Sequence, residues 1–443
     1  MKVLKFGGTS VGSAERIKNV AQLVTSRGKN IIVLSAMAGT TNTLVEISDY
    51  LYKKNVDGAK EIVNSLESKY LSTIDELFAT DEYKEKALKE IKACFNYIRS
   101  FTKDIFTVFE EKEILAQGEL MSTALMNLFL LEKGIDSVLL PALDYMRTDK
   151  NAEPDTNYIK QKLTALLDKH ADADIYITQG YICRNAYGEI DNLQRGGSDY
   201  SASLIGAAIG ADEIEIWTDI DGMHNNDPRF VEDTKPVEEL HFEEAAELAY
   251  FGAKILHPTC VLPAKLNNIP VRLLNTMQPD AKGTVIFNTT SSRKIKAVAA
   301  KDNIIAIKIK SGRMLLAYGF LRKVFEIFET YQTPIDMIAT SEVGVSVTID
   351  NERNLDRIID DLKKFGTVSV DRDMVIICVV GDLEWQNRGF EAKALDALRE
   401  IPVRMISYGG SNYNISFLVR KEDKVKALNS LSDSLFKTSQ CNC

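Results

Sequence analysis

The sequence lacks several features that mark large classes of protein. Only six of its 443 residues are cysteines, and they form no Cys-x-x-Cys pair, so neither a zinc site nor a disulfide framework is indicated. It contains no run of 18 apolar residues, and no transmembrane helix is therefore expected. The opening residues, MKVLKFGG, lack the apolar core of a signal peptide and the Arg- and Ser-rich composition of a transit segment. These absences favour a cytoplasmic protein with no membrane partner.

The charge balance is acidic, and the apolar content is that of a globular chain. There are 54 Lys and Arg against 63 Asp and Glu, a net charge of −9, and 45% of the residues are hydrophobic. A protein that coats nucleic acid is not expected from this charge, although a small, locally basic site for a phosphate is compatible with it. The hydrophobic fraction is too high for a disordered chain. The length predicts about three domains.

Strand and helix patterns alternate over the first 290 residues. Asn30–Met37 is a continuous apolar run, typical of a strand that is buried on both faces. Ser13 is placed to cap a helix, and residues 50–110 read as a charged helical excursion. The alternation predicts a mainly parallel sheet with helices on both sides. Further strands are predicted at Val3–Phe6, Ser137–Ala142, Asp174–Cys183, Glu213–Asp219 and Val271–Asn275.

The C-terminal third contains an internal repeat. A helical pattern opens at Gly319-Phe320-Leu321 and a second one at Gly389-Phe390-Glu391. A period of about 70 residues indicates two small domains rather than solenoid units. Each half reads as β-α-β-β, which is part of a ferredoxin-like plan. We therefore predict one domain over 1–290, a second over 304–371, and a third made of 295–300 plus 373–440, so that the second is inserted into the third.

Two glycine-rich segments are candidates for anion binding. In Lys5-Phe6-Gly7-Gly8-Thr9-Ser10 the glycines let backbone N–H groups approach an anion, although a tight turn would use the same residues. The segment is not a P-loop, because Ser13 stands where that motif needs Lys. In Arg195-Gly196-Gly197-Ser198-Asp199 helix capping by Ser198 or Asp199 accounts for the last two residues. It leaves Arg195 unexplained, and a guanidinium there could bind a carboxylate or a phosphate.

Other polar residues lie where strands end or helices are apolar, and each also has an ordinary explanation. Thr41 follows a buried strand, where ligands bind in open α/β sheets, but Thr/Asn clusters also form simple turns. Glu119 lies on an apolar helix face and could bind an ammonium or reach water as a boundary residue. Four more residues could surround a nucleotide or lie on the surface: Thr218, Asp219, Arg229 and Lys254.

Taken together, these segments resemble the aspartate kinases in content and in order. The matching segments are KFGGTSVG (5–12), LSAMAGTTN (34–42), GELMS (118–122), RGGSDYSA (195–202), IWTDIDG (216–222), NDPR (226–229) and FGAKILHP (251–258). The C-terminal repeat is similar to the paired ACT domains of that family. The resemblance implies an amino-acid-kinase-like three-layer αβα domain with a mainly parallel sheet, followed by two ferredoxin-like ACT domains.

The resemblance also implies an activity and roles for residues. The reaction would be phosphoryl transfer from MgATP to the β-carboxylate of L-aspartate, giving 4-phospho-L-aspartate and ADP, the first step of lysine, threonine, methionine and diaminopimelate biosynthesis. Mg²⁺ would be carried by the ATP phosphates, with no metal site on the protein. Relatives often have Tyr where this chain has His224, so an adenine contact is not expected there. The implied catalytic residues are Lys5 and Asp199; the aspartate-binding residues are Thr41, Glu119, Arg195 and Ser198; the nucleotide-binding residues are Gly7, Gly8, Thr9, Ser10, Thr218, Asp219, Arg229 and Lys254.

Paired ACT domains further imply feedback control, with L-lysine as the expected effector and threonine, alone or with lysine, as the alternative. The effector would lie where ACT domains of two subunits meet, which implies a homodimer and leaves a tetramer open. The helix that follows Gly319 would hold a carboxylate, and Asp336 would hold an ammonium. Arg404 stands where the first repeat has Asp336, so the second repeat is expected to be structural. The expected effector residues are Met314, Gly319, Phe320, Leu321, Ile335, Asp336 and Ser341.

Two other functions are compatible with parts of the pattern. One is a different amino-acid kinase, acting on acetylglutamate, glutamate or uridylate, and the paired ACT repeat and the RGGSDYSA segment argue against it. The other is a non-catalytic amino-acid sensor on the same scaffold. The presence of Lys5, Arg195 and Asp199 argues against a sensor.

Overall fold

The computed structural model describes residues 1–102, 105–193, 196–252, 258–288, 294–311 and 318–437. Contacts between residues divide the chain into two compact units. The first comprises Met1–Met223, Glu238–Phe242 and Leu256–Thr289, and the second comprises His224–Val237, Glu243–Ile255 and Thr290–Cys443. Two short segments from before residue 290 thus have most of their contacts in the second unit. The three domain limits read from the sequence stay a prediction.

The first unit is built on an eight-stranded sheet in the order β3-β4-β2-β1-β7-β9-β10-β8, and β5 and β6 form a separate hairpin. All neighbours in the sheet pair in parallel except β9 and β10. This confirms the predicted α/β class with a mainly parallel sheet. The strands are β1 (Lys2–Phe6), β2 (Asn30–Leu34), β3 (Ser137–Leu140), β4 (Ile175–Gln179), β5 (Ile182–Arg184), β6 (Ile190–Asn192), β7 (Ile214–Thr218), β8 (Glu239–His241), β9 (Val271–Asn275) and β10 (Thr284–Phe287).

Helices cover this sheet, and the helical excursion predicted for residues 50–110 is confirmed by α3 and α4. Ser13 caps α1 as predicted, since its side chain accepts a hydrogen bond from the Arg16 N–H. The helices of the first unit are α1 (Ala14–Thr25), α2 (Thr40–Tyr52), α3 (Val56–Leu77), α4 (Asp81–Ser100), α5 (Val108–Glu132), α6 (Ala142–Tyr145), α7 (Thr156–Lys169), α8 (Gly197–Ile209) and α10 (Leu262–Leu266). Helix α9 (Phe242–Tyr250) belongs to the second unit from Glu243 onward.

Two predicted strands are shorter than their apolar runs. β2 is buried at every residue but ends at Leu34 rather than at Met37. The Ser35 N–H still donates to the Phe6 carbonyl at the end of β1, but the Ala36 N–H leaves the sheet and donates to the Glu119 carboxylate. The run that begins with β4 is interrupted at Tyr181, whose φ of 67° is left-handed. Apolar content alone did not reveal these ends.

Helix α5 is long and apolar enough to cross a membrane by length and composition. In the fold, 72% of its most apolar window is buried inside the protein. Residues of α5 such as Met121 and Leu125 belong to the same hydrophobic cluster as Leu4 and Leu34 of the central strands. This helix is therefore the core helix of the first unit, and it carries Glu119 into the interior.

The second unit contains a six-stranded antiparallel sheet in the order β12-β13-β11-β14-β16-β15. Its two long strands, β11 and β14, pair along most of their length, and a hydrophobic core lies at each end of the pair. One core contains Ile307 and Phe328, and the other contains Ile377 and Phe417. The elements are β11 (Ile295–Lys310), α11 (Phe320–Thr330), β12 (Ile338–Ser341), β13 (Gly344–Ile349), α12 (Leu355–Leu362), β14 (Thr367–Gly381), α13 (Phe390–Ala397), β15 (Met405–Tyr408), β16 (Asn414–Arg420) and α14 (Lys424–Phe436).

Candidate active site

The polar candidates of the first unit gather where parallel strands end. β1, β2, β4 and β7 are neighbours and run in the same direction, so the loops that follow them leave from one edge of the sheet. Open α/β sheets bind their ligands at this edge. The Gly7 N–H donates to the Trp217 carbonyl and the Ala38 N–H to the Gly8 carbonyl, which ties the loop after β1 to strand β7 and to the loop after β2.

Lys5 and Asp199 form an ion pair at this edge. The Lys5 Nζ atom lies 2.6 Å from Asp199 Oδ1, and the two side chains are 12% and 15% exposed. The contact is electrostatic rather than an aligned hydrogen bond, because Oδ1 has no hydrogen-bond partner among the described atoms. The pair joins β1 to the first turn of α8. It holds a shielded ammonium beside Gly7, where an added Cβ would lie 3.6 Å from Nζ.

Helix α8 begins earlier than the sequence suggested, at Gly197, two to three residues before the predicted cap would place it. Its N-cap is Gly196, with a left-handed φ of 77°, so the predicted capping by Ser198 or Asp199 is wrong. The reason is tertiary: the Ser198 hydroxyl accepts a hydrogen bond from Ser35 at 3.0 Å, and the Asp199 carboxylate pairs with Lys5. Both side chains therefore point to the strand ends. The Asp199 and Tyr200 N–H groups donate to the Gly196 carbonyl, so the N–H groups of Gly197 and Ser198 are the ones placed for an anion.

The Gly7–Ser10 loop approaches its neighbour backbone to backbone. A Cβ on Gly8 would lie 2.7 Å from the Ala36 carbonyl oxygen, closer than real Cβ atoms come, so this position requires glycine. The Ser10 hydroxyl is buried and shares a hydrogen bond of 2.7 Å with Thr276. Ser10 thus anchors the loop, and Thr276 is a supporting residue that the sequence pattern did not single out.

Glu119 is buried, and only one of its two carboxylate oxygens accepts a hydrogen bond from the described residues. Its side chain is 3% exposed, Oε1 accepts from the Ala36 N–H at 3.2 Å, and Oε2 has no hydrogen-bond partner within the described ranges. Burial raises the pKa of this carboxyl to about 8. A cationic ligand placed at Oε2 would supply both the missing donor and the missing counter-charge.

Hydrogen bonds through Ser122 and Ser35 connect the Glu119 backbone to Ser198. The Ser122 hydroxyl, one turn along α5, bonds both the Glu119 carbonyl and the Ser35 carbonyl, the latter at 2.8 Å. The Ser35 hydroxyl in turn donates to Ser198. Gly180 lets Ser198 approach, because a Cβ there would lie 2.4 Å from the Ser198 Cβ. Ser122 and Gly180 were not found from the sequence. The one available signal was a glycine directly after a buried strand.

The other candidates of the first unit lie near the same edge. Thr41 is the second residue of α2, after Gly39 with its left-handed φ of 80°, and its side chain is half-buried. Thr218 ends β7 and donates its hydroxyl hydrogen to Asp219 at 3.1 Å. Its carbonyl accepts from the Thr276 N–H, which links it to the loop after β9.

The remaining candidates lie in the second unit or outside the described residues. The Arg229 side chain is 77% exposed and forms a salt bridge with Asp227, in which Nη2 lies 2.7 Å from Oδ2. His224 shares a hydrogen bond of 2.9 Å with Thr234. Three expected site residues lie outside the described ranges: Arg195, Lys254 and Met314.

The expected effector residues of the second unit surround the start of α11 and β12. Gly319 is the N-cap of α11 with a left-handed φ of 81°, Phe320 is buried, and Leu321 is 38% exposed. Ile335 is half-buried, and Ser341 is exposed at the end of β12. Asp336, the expected ammonium ligand, is already in contact with the ammonium of Lys301.

In the first unit, a lysine ammonium lies beside a helix N-terminus, a combination that favours anions, and a buried carboxylate oxygen lacks a partner among the described residues. This arrangement suits an α/β phosphotransferase whose substrate carries an ammonium. The sequence matches the amino acid kinase family over residues 1–275 and an ACT domain over residues 377–435.

Comparison with known proteins narrows the class. Lysine-sensitive aspartokinase 3 of Escherichia coli is 32% identical over 448 residues, which cover 98% of this chain and 99% of that protein. The structure of E. coli aspartokinase III with aspartate and ADP (R-state) superposes with a TM-score of 0.84 at 31% identity, covering 99% of this chain and all of that one. Its complex with lysine and aspartate (T-state) gives 0.83 at the same identity and coverage. The chain belongs to the amino acid kinase family and, within it, to the aspartokinases, as its motifs suggested.

Proposed function

We propose that this chain transfers the γ-phosphoryl group of MgATP to the β-carboxylate of L-aspartate, giving 4-phospho-L-aspartate and ADP. The observation that carries the proposal is the Lys5–Asp199 ion pair at the carboxyl edge of the sheet. Through Ser198 and the Ser35-Ala36 loop, the same edge is linked to the unfilled carboxylate of Glu119. The relative solved with aspartate and ADP supports the choice of substrates.

Substrate binding follows from the charges of the site. Glu119 Oε2 takes the α-ammonium of aspartate, which gives the buried carboxylate the partner it lacks. Ser198 and Thr41 lie at helix starts, where N–H groups favour a carboxylate. Arg195 completes this set as a bidentate carboxylate ligand.

The nucleotide is assigned to the loops on the other side of Lys5. Gly8 and Thr9 offer backbone N–H groups to the phosphates, and Gly7, whose N–H is held by Trp217, leaves room beside Lys5. Thr218 ends the neighbouring strand β7, and Asp219 follows it. Arg229 and Lys254 are included on the resemblance. Mg²⁺ arrives on the ATP phosphates and offsets part of their charge.

The chemistry needs no general base, because the aspartate β-carboxylate is already a nucleophile. Its oxygen forms a bond to the γ-phosphorus while the bond from phosphorus to the bridging oxygen breaks, and ADP leaves with that electron pair. Repulsion between anions is the main barrier, so a fixed ammonium and oriented N–H groups lower it. Lys5 supplies the ammonium and the start of α8 supplies the N–H groups. Asp199 fixes the position of the Lys5 side chain.

Regulation and context complete the proposal. L-lysine, bound at the second unit of a cytoplasmic homodimer, inhibits the enzyme, which catalyses the first step of lysine, threonine, methionine and diaminopimelate biosynthesis. A lysine-sensitive relative and the lysine complex of a similar structure support lysine over threonine. Inhibition by threonine but not by lysine in an initial-rate assay would reject this effector.

The activity is tested by supplying MgATP with one candidate acceptor at a time and measuring ADP release together with capture of the acyl phosphate by hydroxylamine. We expect both signals with L-aspartate and neither with L-glutamate, N-acetyl-L-glutamate or UMP. Turnover of one of the latter would identify a different amino-acid kinase. Lysine binding without turnover of any acceptor would identify a sensor.

A further inference from the structure

A buried carboxylate in the second unit is bound by side chains of the chain itself. The Asp336 side chain is 1% exposed, and its Oδ1 atom lies 2.6 Å from the Nζ atom of Lys301 on β11. The Tyr250 hydroxyl donates to the same oxygen at 2.7 Å. A carboxylate this deeply buried needs a counter-charge, because an isolated charge in the interior is strongly destabilising. Lys301 provides that charge.

Lys301 has a second partner that is far more exposed. Its Nζ atom lies 3.0 Å from Asp350 Oδ2, and the Asp350 side chain is 37% exposed. Burial lowers the pKa of Lys301, but its hydrogen bonds and charge interactions with Asp336 and Asp350 outweigh that effect and the pKa is raised. The ammonium is therefore charged, and it would keep one carboxylate partner if it left Asp336.

Only one of the two oxygen atoms of the Asp336 carboxylate has hydrogen-bond donors among the described residues. Its Oδ2 atom is buried and has no hydrogen-bond partner in the part of the chain that the structure describes. Both donors, Lys301 and Tyr250, bind Oδ1. Because Oδ2 is shut off from solvent, a ligand ammonium can reach this carboxylate only when a side chain that covers it, such as Lys301, moves away.

We propose that Lys301 is a built-in occupant of the effector's ammonium subsite, which free lysine must displace from Asp336. The inference rests on the proposed function, in which Asp336 holds the effector's ammonium. The free amino acid carries the same alkylammonium group as the Lys301 side chain, so the exchange leaves the buried carboxylate compensated. Lys301 remains on Asp350, within reach of water. Breaking the internal pair opposes binding, so Lys301 sets the lysine concentration at which the enzyme responds.

The test compares the full-length wild type with Lys301→Met, which keeps the side-chain length and removes the charge. Lysine binding is measured by calorimetry, and inhibition is measured relative to each variant's own uninhibited rate. Without Lys301, lysine no longer has to break an internal ion pair before it binds Asp336. Its dissociation constant and its half-inhibitory concentration should therefore fall roughly tenfold. Lys308→Met, on the same strand and also half-buried, should match the wild type. An unchanged or weaker response of Lys301→Met would overturn the proposal.

A second variant covers the case in which loss of the counter-charge prevents folding. Lys301→Gln retains a donor for Asp336 but no charge, and it should shift lysine binding in the same direction by a smaller factor. Unchanged or weaker binding by this variant would also overturn the inference. If the wild type neither binds nor responds to lysine, the proposed effector is wrong and this inference falls with it. If the wild type responds and both variants match it, only the role of Lys301 is wrong.

Discussion

The Lys5 ammonium lies 2.6 Å from the Asp199 carboxylate, although one residue is on the first strand and the other in the first turn of α8. The pair fixes a cation at the point where the strand ends and the glycine-rich loops meet. Since the site has no need of a proton acceptor, this positioned charge is the main catalytic device of the proposed reaction.

Removing the ammonium should therefore lower the rate more than it weakens binding. For Lys5→Met we expect kcat to fall by about 10²–10³-fold, as for loss of one oriented charge-stabilising donor. Steady-state rates with saturating aspartate and MgATP check this. Lys29→Met is the control and should keep full activity, because Lys29 is exposed and its Nζ donates to the Ala171 carbonyl, away from the site. A Lys5→Met enzyme with near wild-type kcat would refute the assigned role.

Glu119 should give aspartate binding a characteristic pH dependence. Burial raises its pKa to about 8, so ionisation, which the substrate ammonium requires, becomes more favourable as the pH rises towards 8. We expect the KM for aspartate to fall over that range. Glu119→Gln should raise KM by about ten- to a hundredfold and abolish this slope, because a hydrogen bond to a charged group is lost.

The same group affects folding stability with a definite sign. Its pKa is higher in the folded than in the unfolded state, so the folded protein binds more protons between pH 4.5 and about 8, and the contribution of Glu119 to stability is lost as the pH rises. Glu119→Gln should remove this dependence of the unfolding free energy on pH, whereas Glu85→Gln, on the exposed face of α4, should retain it. Equal pH slopes in denaturant titrations of wild type and Glu119→Gln would contradict the assignment.

Replacing Gly180 by alanine should destabilise the protein and weaken aspartate binding. In Gly180→Ala the new Cβ would lie 2.4 Å from the Ser198 Cβ, so the start of α8 must shift. We expect a loss of about 1–3 kcal/mol of unfolding free energy, as for overpacking, together with a higher KM for aspartate. Urea denaturation and kinetics measure the two effects. Gly410→Ala, with no described atom within 4 Å of its new Cβ, should change neither.

Glu215 should be a determinant of stability rather than of activity. Its fully buried carboxylate accepts from the Trp217 indole at 2.9 Å and pairs with Lys2 and Arg27 at 2.9 and 2.8 Å. Glu215→Leu leaves these donors without it and should cost about 3 kcal/mol in urea denaturation. Asp212→Asn should cost far less, because the Asp212 side chain, which pairs with the N-terminal ammonium, is 75% exposed. Similar losses for both variants would contradict this interpretation.

Local patterns were sufficient for much of the fold. The apolar run at Asn30–Met37 predicted a fully buried strand, which the structure shows at Asn30–Leu34, and Ser13 predicted the start of α1. Burial on two faces and helix capping each depend on a few consecutive residues. The glycine-rich segments around Gly7 and Gly196 predicted an anion site for the same reason. Family membership followed from the order of these short motifs.

Other features depend on which distant segments come together, and no local pattern encodes that. Ser198 was expected to cap α8, yet it bonds Ser35 because the parallel sheet brings the loops after β2 and β4 to the start of that helix. Asp336 was predicted to hold an ammonium because of the resemblance to paired ACT domains. Only the pairing within the second unit places Lys301 against it. A sequence motif names the chemical groups of a site, whereas long-range packing decides which of them are free and which already hold a partner.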